Sequence, residues 1–280
     1  MEATIDVEVV VPWDWQSTDK RIRKRILHKG WWNGSRPVEG SPCMVQIDTS
    51  DYEDVNISEA YRLPSTDQFK LIVGEGETEF QRMLDRLLPT MDTFEECLVE
   101  YKIDESVYKV KIKLIQHGAG TPSYSLDAEK KLAKALYCKE RGVLLYKEGR
   151  TLDAFHRFKR AAQLLIFLDR DQPQYLPIYL TVCNNLAQCH LQHGNYEHTL
   201  TLCDKVLAKE PNNVKCLLRR ASALESLRDF ENALDVYKRV LQLEANNHRA
   251  TERLLQMKIQ VDDMNARYNA AVKRMFDFNN

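Results

Sequence analysis

The side chains best placed to do chemistry in this 280-residue chain are cations and an amide rather than nucleophiles. Lys139, Asn185, Lys215 and Arg219 stand in stretches of helical character, and Lys215 and Arg219, four residues apart, share one helix face. Ammonium, guanidinium and amide groups donate hydrogen bonds, so an acidic peptide is a ligand they could hold. The plain alternative is that they are solvated, as Lys and Arg on exposed helices usually are. His190 and His193, with Cys189 and His198 near, could suggest a metal. No carboxylate or further histidine pair completes such a site, and packing between helices accounts for them. There is no Gly-rich phosphate loop and no nucleophile motif. Neither a metal nor a cofactor is therefore expected. The run Lys20-Arg-Ile-Arg-Lys-Arg25 has the composition of a nuclear-import signal; a strand carrying solvated cations is the stronger expectation.

The rest of the composition narrows the setting. Hydrophobic residues are 44% and charged residues 29% of the chain, close to a globular average, so disorder and collagen-like repeats are excluded. No apolar stretch approaches the roughly 18–20 residues of a membrane span. The N-terminus lacks a basic start and apolar core, so no signal peptide is expected. Seven cysteines without a Cys-x-x-Cys pair suit reduced, buried thiols and a cytoplasmic chain, with the nucleus as an additional location. The net charge of −1 conceals an asymmetry: residues 1–125 hold 15 Lys and Arg against 22 Asp and Glu, whereas residues 126–280 hold 25 against 19. Two modules with different partners fit that split. The basic excess is too small for a nucleic-acid partner.

Two textures meet near residue 120. Before it, apolar residues alternate at period two: Ile5 to Val11, Ile22 to Leu27, Met44 to Ile47, Phe69 to Val73, Cys97 to Val99, and Val110, Ile112 and Leu114 against Lys109, Lys111 and Lys113. Only Phe80, Met83, Leu84, Leu87 and Leu88 recur at helical spacing. A small α+β domain over residues 1–117 is expected, then a linker over 118–125. Beyond it, Ala187 and Ala221, Tyr196 and Phe230, Thr199 and Ala233, and Cys203 and Tyr237 stand 34 residues apart. Gly142, Ala154 and Phe158 repeat the slots of Ala187, Thr199 and Cys203, offset by 45 residues. The eleven extra residues are expected in Leu168 to Tyr179. A 34-residue helix–turn–helix with small residues at fixed slots is the tetratricopeptide (TPR) signature. Three repeats, about 134–167, 180–213 and 214–247, are expected within residues 126–246. A capping helix over 247–280, with Leu254, Leu255, Met264, Tyr268, Val272 and Met275 at near-helical spacing, is expected to close the stack. Lys139, Asn185, and Lys215 with Arg219 then fall on the first helices of successive repeats, which line a concave groove.

On these residues a resemblance appears. Lys139-Glu-Arg-Gly142, Asn185-Leu-Ala187 and Lys215-Cys-Leu-Leu-Arg-Arg220 resemble the two-carboxylate clamp of TPR-containing immunophilins and related co-chaperones. In that family the clamp grips the C-terminal Met-Glu-Glu-Val-Asp of heat shock protein 90. The resemblance implies that Lys139, Asn185, Lys215 and Arg219 bind both carboxylates of such a tail. Val143 stands where many clamps have a second asparagine. The first half, from Lys24-Arg-Ile-Leu-His-Lys-Gly30 through Pro37-Val-Glu-Gly40 and Phe69-Lys-Leu-Ile-Val-Gly74-Glu-Gly76 to Met91 and Glu95-Glu96, resembles an FKBP domain. Its departures concern the pocket that cradles a prolyl ring. Ile47 replaces a tyrosine, Thr78-Glu79 an apolar pair, and Arg82 the floor tryptophan, while Tyr101 to Val107 reads as a tight hairpin in place of an aromatic loop. The resemblance implies an FKBP-like sheet domain without prolyl isomerase activity, followed by an all-α TPR superhelix. It implies a monomeric co-chaperone adaptor of heat shock protein 90 whose first domain meets a further partner or client. A residual isomerase, and an adaptor for the similar heat shock protein 70 tail, are the alternatives.

Overall fold

The computed structural model describes residues 12–31, 34–48, 68–103, 106–168 and 172–277. It comprises two compact units, Met1–Asp127 and Ala128–Asn280. The expected strand at Ile5 to Val11 lies outside the described residues, as does Trp32.

Among the described residues of the first unit, six strands form one antiparallel sheet: β1 (Trp15–Gln16), β2 (Ile22–His28), β3 (Pro42–Asp48), β4 (Gln68–Ile72), β5 (Glu96–Ile103) and β6 (Ser106–His117). Their spatial order is β1-β2-β5-β6-β3-β4. Period-two alternation turns Cys43, Val45 and Ile47 of β3 and Val110, Ile112 and Leu114 of β6 to one face. Helix α1 (Glu79–Leu87) covers that face with Phe80, Met83, Leu84 and Leu87. Thr78 starts the helix: its hydroxyl accepts from Gln81 N while the Gln81 side chain accepts from Thr78 N, a capping box. Each buried apolar side chain contributes about 1.5–3 kcal/mol, so Leu84→Ala would cost about 2–5 kcal/mol. Ile103 pairs with Ser106 across β5 and β6, the register of a tight hairpin.

Two expectations need correction here. The basic run in β2 does not expose all its cations. Lys24 points inward and is 3% exposed, its Nζ donating to Glu95 Oε1 and to the Thr90 carbonyl, both at 2.7 Å. A buried ammonium demands such partners, because an uncompensated charge in a low dielectric is prohibitive. The segment 118–125 is not a free linker either. It lies on the turn at residues 37–41, where a Cβ on Gly40 (φ +85°) would come within 2.8 Å of the Thr121 backbone. Ser123 donates to the Glu39 carboxylate through both its hydroxyl and its backbone N–H. The tryptophans divide: Trp15 packs against the core, Trp13 lies under the Arg25 guanidinium at 4.8 Å, and Trp31 is 78% exposed.

The second unit is helical: α2 (Ala128–Lys147), α3 (Thr151–Ile166), α4 (Leu176–Gln192), α5 (Tyr196–Leu207), α6 (Val214–Ser226), α7 (Phe230–Leu243) and α8 (His248–Asp277). Helices pack as successive hairpins α2–α3, α4–α5 and α6–α7, with α8 on α7. The small residues explain themselves. A Cβ on Gly142 would meet the Phe158 ring at 2.7 Å. Ala154, Ala187, Ala221 and Ala233 are fully buried where paired helices approach. The extra residues between the first two copies fall only partly in the expected segment: α4, with 17 residues against 13 in α6, is lengthened from Leu176 within it, whereas α3, with 16 against 12 in α5, is lengthened before it. Each extension is about one helical turn. On α8 the stripe Ala250, Leu254 and Met257 joins the core with α7.

Candidate peptide groove

Helices α2, α4 and α6 are the first members of the three hairpins. Lys139 is half-buried on α2, Asn185 is half-buried on α4, and Lys215 is exposed in the first turn of α6. Among the described residues, none of these three side chains has a hydrogen bond or ion pair. The α6 helix is started by Asn213, whose Oδ1 accepts from Cys216 N at 3.0 Å. That cap fixes the turn from which Lys215 projects.

Arg219, one turn further on, is placed differently from the expectation of a free groove cation. It crosses from α6 to α4, with Nε donating to Gln188 Oε1 at 2.8 Å and Nη1 donating to Asn184 Oδ1. Burial lowers its pKa from the ordinary guanidinium value; the nearby Cys203 and Cys216 thiols and the Tyr146 phenol of α2 act the other way. Tyr146 lies seven residues after Lys139, on the same face of α2. Arg219 therefore ties α6 to α4, and its Nη2 remains without a partner among the described residues. Sequence reasoning missed Asn184 and Gln188. Asn184 and Gln188, four residues apart, share one face of α4, but Thr181 and the adjacent Asn185 keep the sequence from singling them out.

The second candidate, the pocket of the sheet unit, is arranged in the opposite way. Ile47 is buried in the core, and Thr78 is committed to capping α1. Glu79 Oε1 accepts from Tyr101 Oη at 3.0 Å, joining α1 to β5. Burial, then the Glu79 charge, pushes the Tyr101 phenol well above its ordinary pKa. Arg82 Nη1 turns back to donate to the Glu77 carbonyl at 3.0 Å. The polar groups expected in a degenerate pocket are engaged with one another and with their own backbone.

The histidines are packed rather than assembled for a ligand. His190 stacks on His198 with ring centroids 5.3 Å apart, and the Phe155 edge meets His190 at 5.1 Å. His193 Nδ1 lies 2.7 Å from the Cys189 carbonyl. Among the described residues no group of His, Cys, Asp and Glu is arranged to hold a metal ion. No described helix is long and apolar enough to cross a membrane. All seven cysteines are free and buried.

Residues 15–117 match the family model described as "BDBT FKBP like N-terminal". The protein named FK506-binding protein-like from Mus musculus is 30% identical over 210 residues, which are 74% of this chain and 59% of that protein. Peptidyl-prolyl cis-trans isomerase FKBP4 from Homo sapiens is 26% identical over 282 residues, covering 94% of this chain and 60% of that protein. The chain thus spans about three-fifths of the length of these relatives. The crystal structure of residues 1–211 of CG17282 has a TM-score of 0.55 at 22% identity, covering 66% of this chain and 95% of that one, so the two share a fold.

Proposed function

Because the chain joins an FKBP-like domain to a TPR array, we propose that it is a non-catalytic co-chaperone adaptor. The TPR groove takes the acidic C-terminal tail of heat shock protein 90, ending in Glu-Glu-Val-Asp. The FKBP-like domain is left for a further partner or client. The reading places the chain in the cytoplasm and has it act as a monomer.

One observation carries this reading. Lys139, Asn185 and Lys215 stand on the first helices of three successive hairpins with no side-chain partner among the described residues, while Arg219 bridges α6 and α4 with Nη2 uncommitted. A tail ending in aspartate presents a main-chain and a side-chain carboxylate. Two ammonium groups, an amide and a guanidinium edge complement that pair through charge-assisted bonds. The isomerase named among the relatives has its activity in a longer protein. Here Glu79 and Tyr101 bond each other, and Arg82 stands where the resemblance requires an aromatic floor. Both features favour an adaptor without prolyl isomerase activity.

The test is calorimetry of the full chain with a free Met-Glu-Glu-Val-Asp peptide. Binding is expected to weaken sharply when the peptide C-terminus is amidated. Lys215→Ala is expected to lose about 1.5–3 kcal/mol, roughly ten- to hundredfold in affinity, and Val143→Ala almost none. Affinity is also expected to fall with salt, since the groove is open to solvent. If Lys215→Ala binds like the wild type, the clamp reading fails. A proline-peptide isomerisation rate above background that a macrolide abolishes would restore the enzyme.

A further inference from the structure

We infer that Asn184 and Gln188 are positioning residues of the groove: from α4 they hold Arg219, and through Asn213 the turn that carries Lys215, in one fixed arrangement beside Asn185. The inference rests on the reading of the groove as a peptide site, and it concerns two residues that the clamp resemblance does not include.

Asn184 is 9% exposed, and both ends of its amide are used. Oδ1 accepts from Arg219 Nη1, and Nδ2 donates to Asn213 Oδ1 at 3.5 Å. The same Asn213 oxygen accepts from Cys216 N at 3.0 Å, and Asn213 Nδ2 donates to Glu210 Oε2 at 2.7 Å. One buried amide on α4 thereby reaches both cationic positions of α6: Arg219 directly, and Lys215 through the cap two residues before it. Gln188, one turn along α4, takes Arg219 Nε at 2.8 Å. Asn185 is the immediate neighbour of Asn184, so the groove amide and the two α6 cations are registered against a single stretch of α4.

The physical consequence is preorganisation. An arginine has five N–H donors on a long, rotamer-rich stem. With Nε and Nη1 held by two acceptors on a neighbouring helix, the guanidinium plane cannot rotate freely, and the Nη2 edge is the part left for a carboxylate. Ordering the side chain is then a cost met on folding rather than on binding. Neither Asn184 nor Gln188 needs to touch the peptide for its loss to be felt, and the effect must pass through Arg219.

The deciding experiment is a double-mutant cycle on the full chain, read by calorimetry with Met-Glu-Glu-Val-Asp. Gln188→Met removes the acceptor at similar length. It is expected to weaken binding roughly three- to tenfold in the wild-type background and by less than about 1.5-fold in the Arg219→Met background, because contacting residues couple. Arg219 Nε–H exchange, followed by NMR without peptide, is expected to be slow in the wild type and accelerated in Gln188→Met. Equal effects of Gln188→Met in both backgrounds, or Nε–H exchange as fast in the wild type as in the variant, overturn the inference while leaving the groove reading standing. A wild-type chain that does not bind the peptide overturns that reading and this inference with it.

Discussion

Lys24 in the sheet unit and Lys215 in the helical unit have the same side chain and opposite fates. Lys24 is buried against Glu95 and the Thr90 carbonyl, whereas Lys215 stands exposed with no partner among the described residues. The difference extends to the two candidate sites as wholes. In the sheet unit Tyr101 donates to Glu79 and Arg82 donates to the Glu77 carbonyl. In the groove the Lys139, Asn185 and Lys215 side chains have no such partner among the described residues, and only Arg219 is held in place. A polar group satisfied within the fold contributes to stability. One left unsatisfied but solvated contributes nothing to the fold and remains available to a ligand.

The largest expected effect breaks the comparison at its two lysines. Removing one partner of a buried ion pair costs about 3–5 kcal/mol, because the remaining charge has no counterpart. Lys24→Ala is expected to lose that much stability. Lys215→Ala, at an exposed position, is expected to stay within about 0.5 kcal/mol of the wild type. The chain provides its own reporters: all four tryptophans, at positions 13, 15, 31 and 32, lie in the first unit, so their fluorescence follows that unit through urea unfolding, while far-ultraviolet circular dichroism follows mainly the helices. A Lys24→Ala midpoint that stays within 1 kcal/mol of the wild type would mean that the pair is solvated.

A smaller effect tests the bond between α1 and β5. Tyr101→Phe removes the bond to Glu79 without changing shape, and it is expected to cost about 0.5–1.5 kcal/mol in the fluorescence transition. Peptide affinity should be unchanged, because nothing in the groove is altered. A Tyr101→Phe chain as stable as the wild type would show that this bond adds nothing to the stability of the sheet unit.

How much of this was legible depends on how far apart the interacting residues lie. The alternation of Val110, Ile112 and Leu114 with lysines fixed β6 and its inward face, since period two is a local property. The 34-residue spacing of Cys203 and Tyr237 marked equivalent buried slots on α5 and α7. Lys24 was read as solvated because its partner Glu95 is 71 residues away and no local pattern selects which member of a basic run turns inward. Gln188 and Asn184 were missed for the same reason: their partner is 31 and 35 residues distant. The turn added to α4 begins at Leu176, inside the expected segment, while the turn added to α3 ends at Ile166, before it, where one more turn leaves the helical period undisturbed.

The smallest expected effect concerns pH and compares the units once more. His190 on α4 stacks on His198 of α5, and the charges of His193 at the C-cap of α4 and of Lys159 on α3 also act on it. Burial first, and then these three groups, lower its pKa from the ordinary 6.5. The sign follows directly. The unfolded chain takes up the His190 proton at a higher pH than the folded chain does, so protons favour unfolding. The contribution of neutral His190 is complete above about 6.5 and is lost as pH falls from there toward the lowered folded value. The helical transition, followed by circular dichroism in urea, is therefore expected at a lower midpoint at pH 5.5 than at pH 7.5. His190→Gln cannot acquire the charge and should flatten that dependence, while leaving the fluorescence transition of the sheet unit as it was. A wild-type helical midpoint independent of pH over this range, or one equally dependent in His190→Gln, would remove the stacked histidines as the cause.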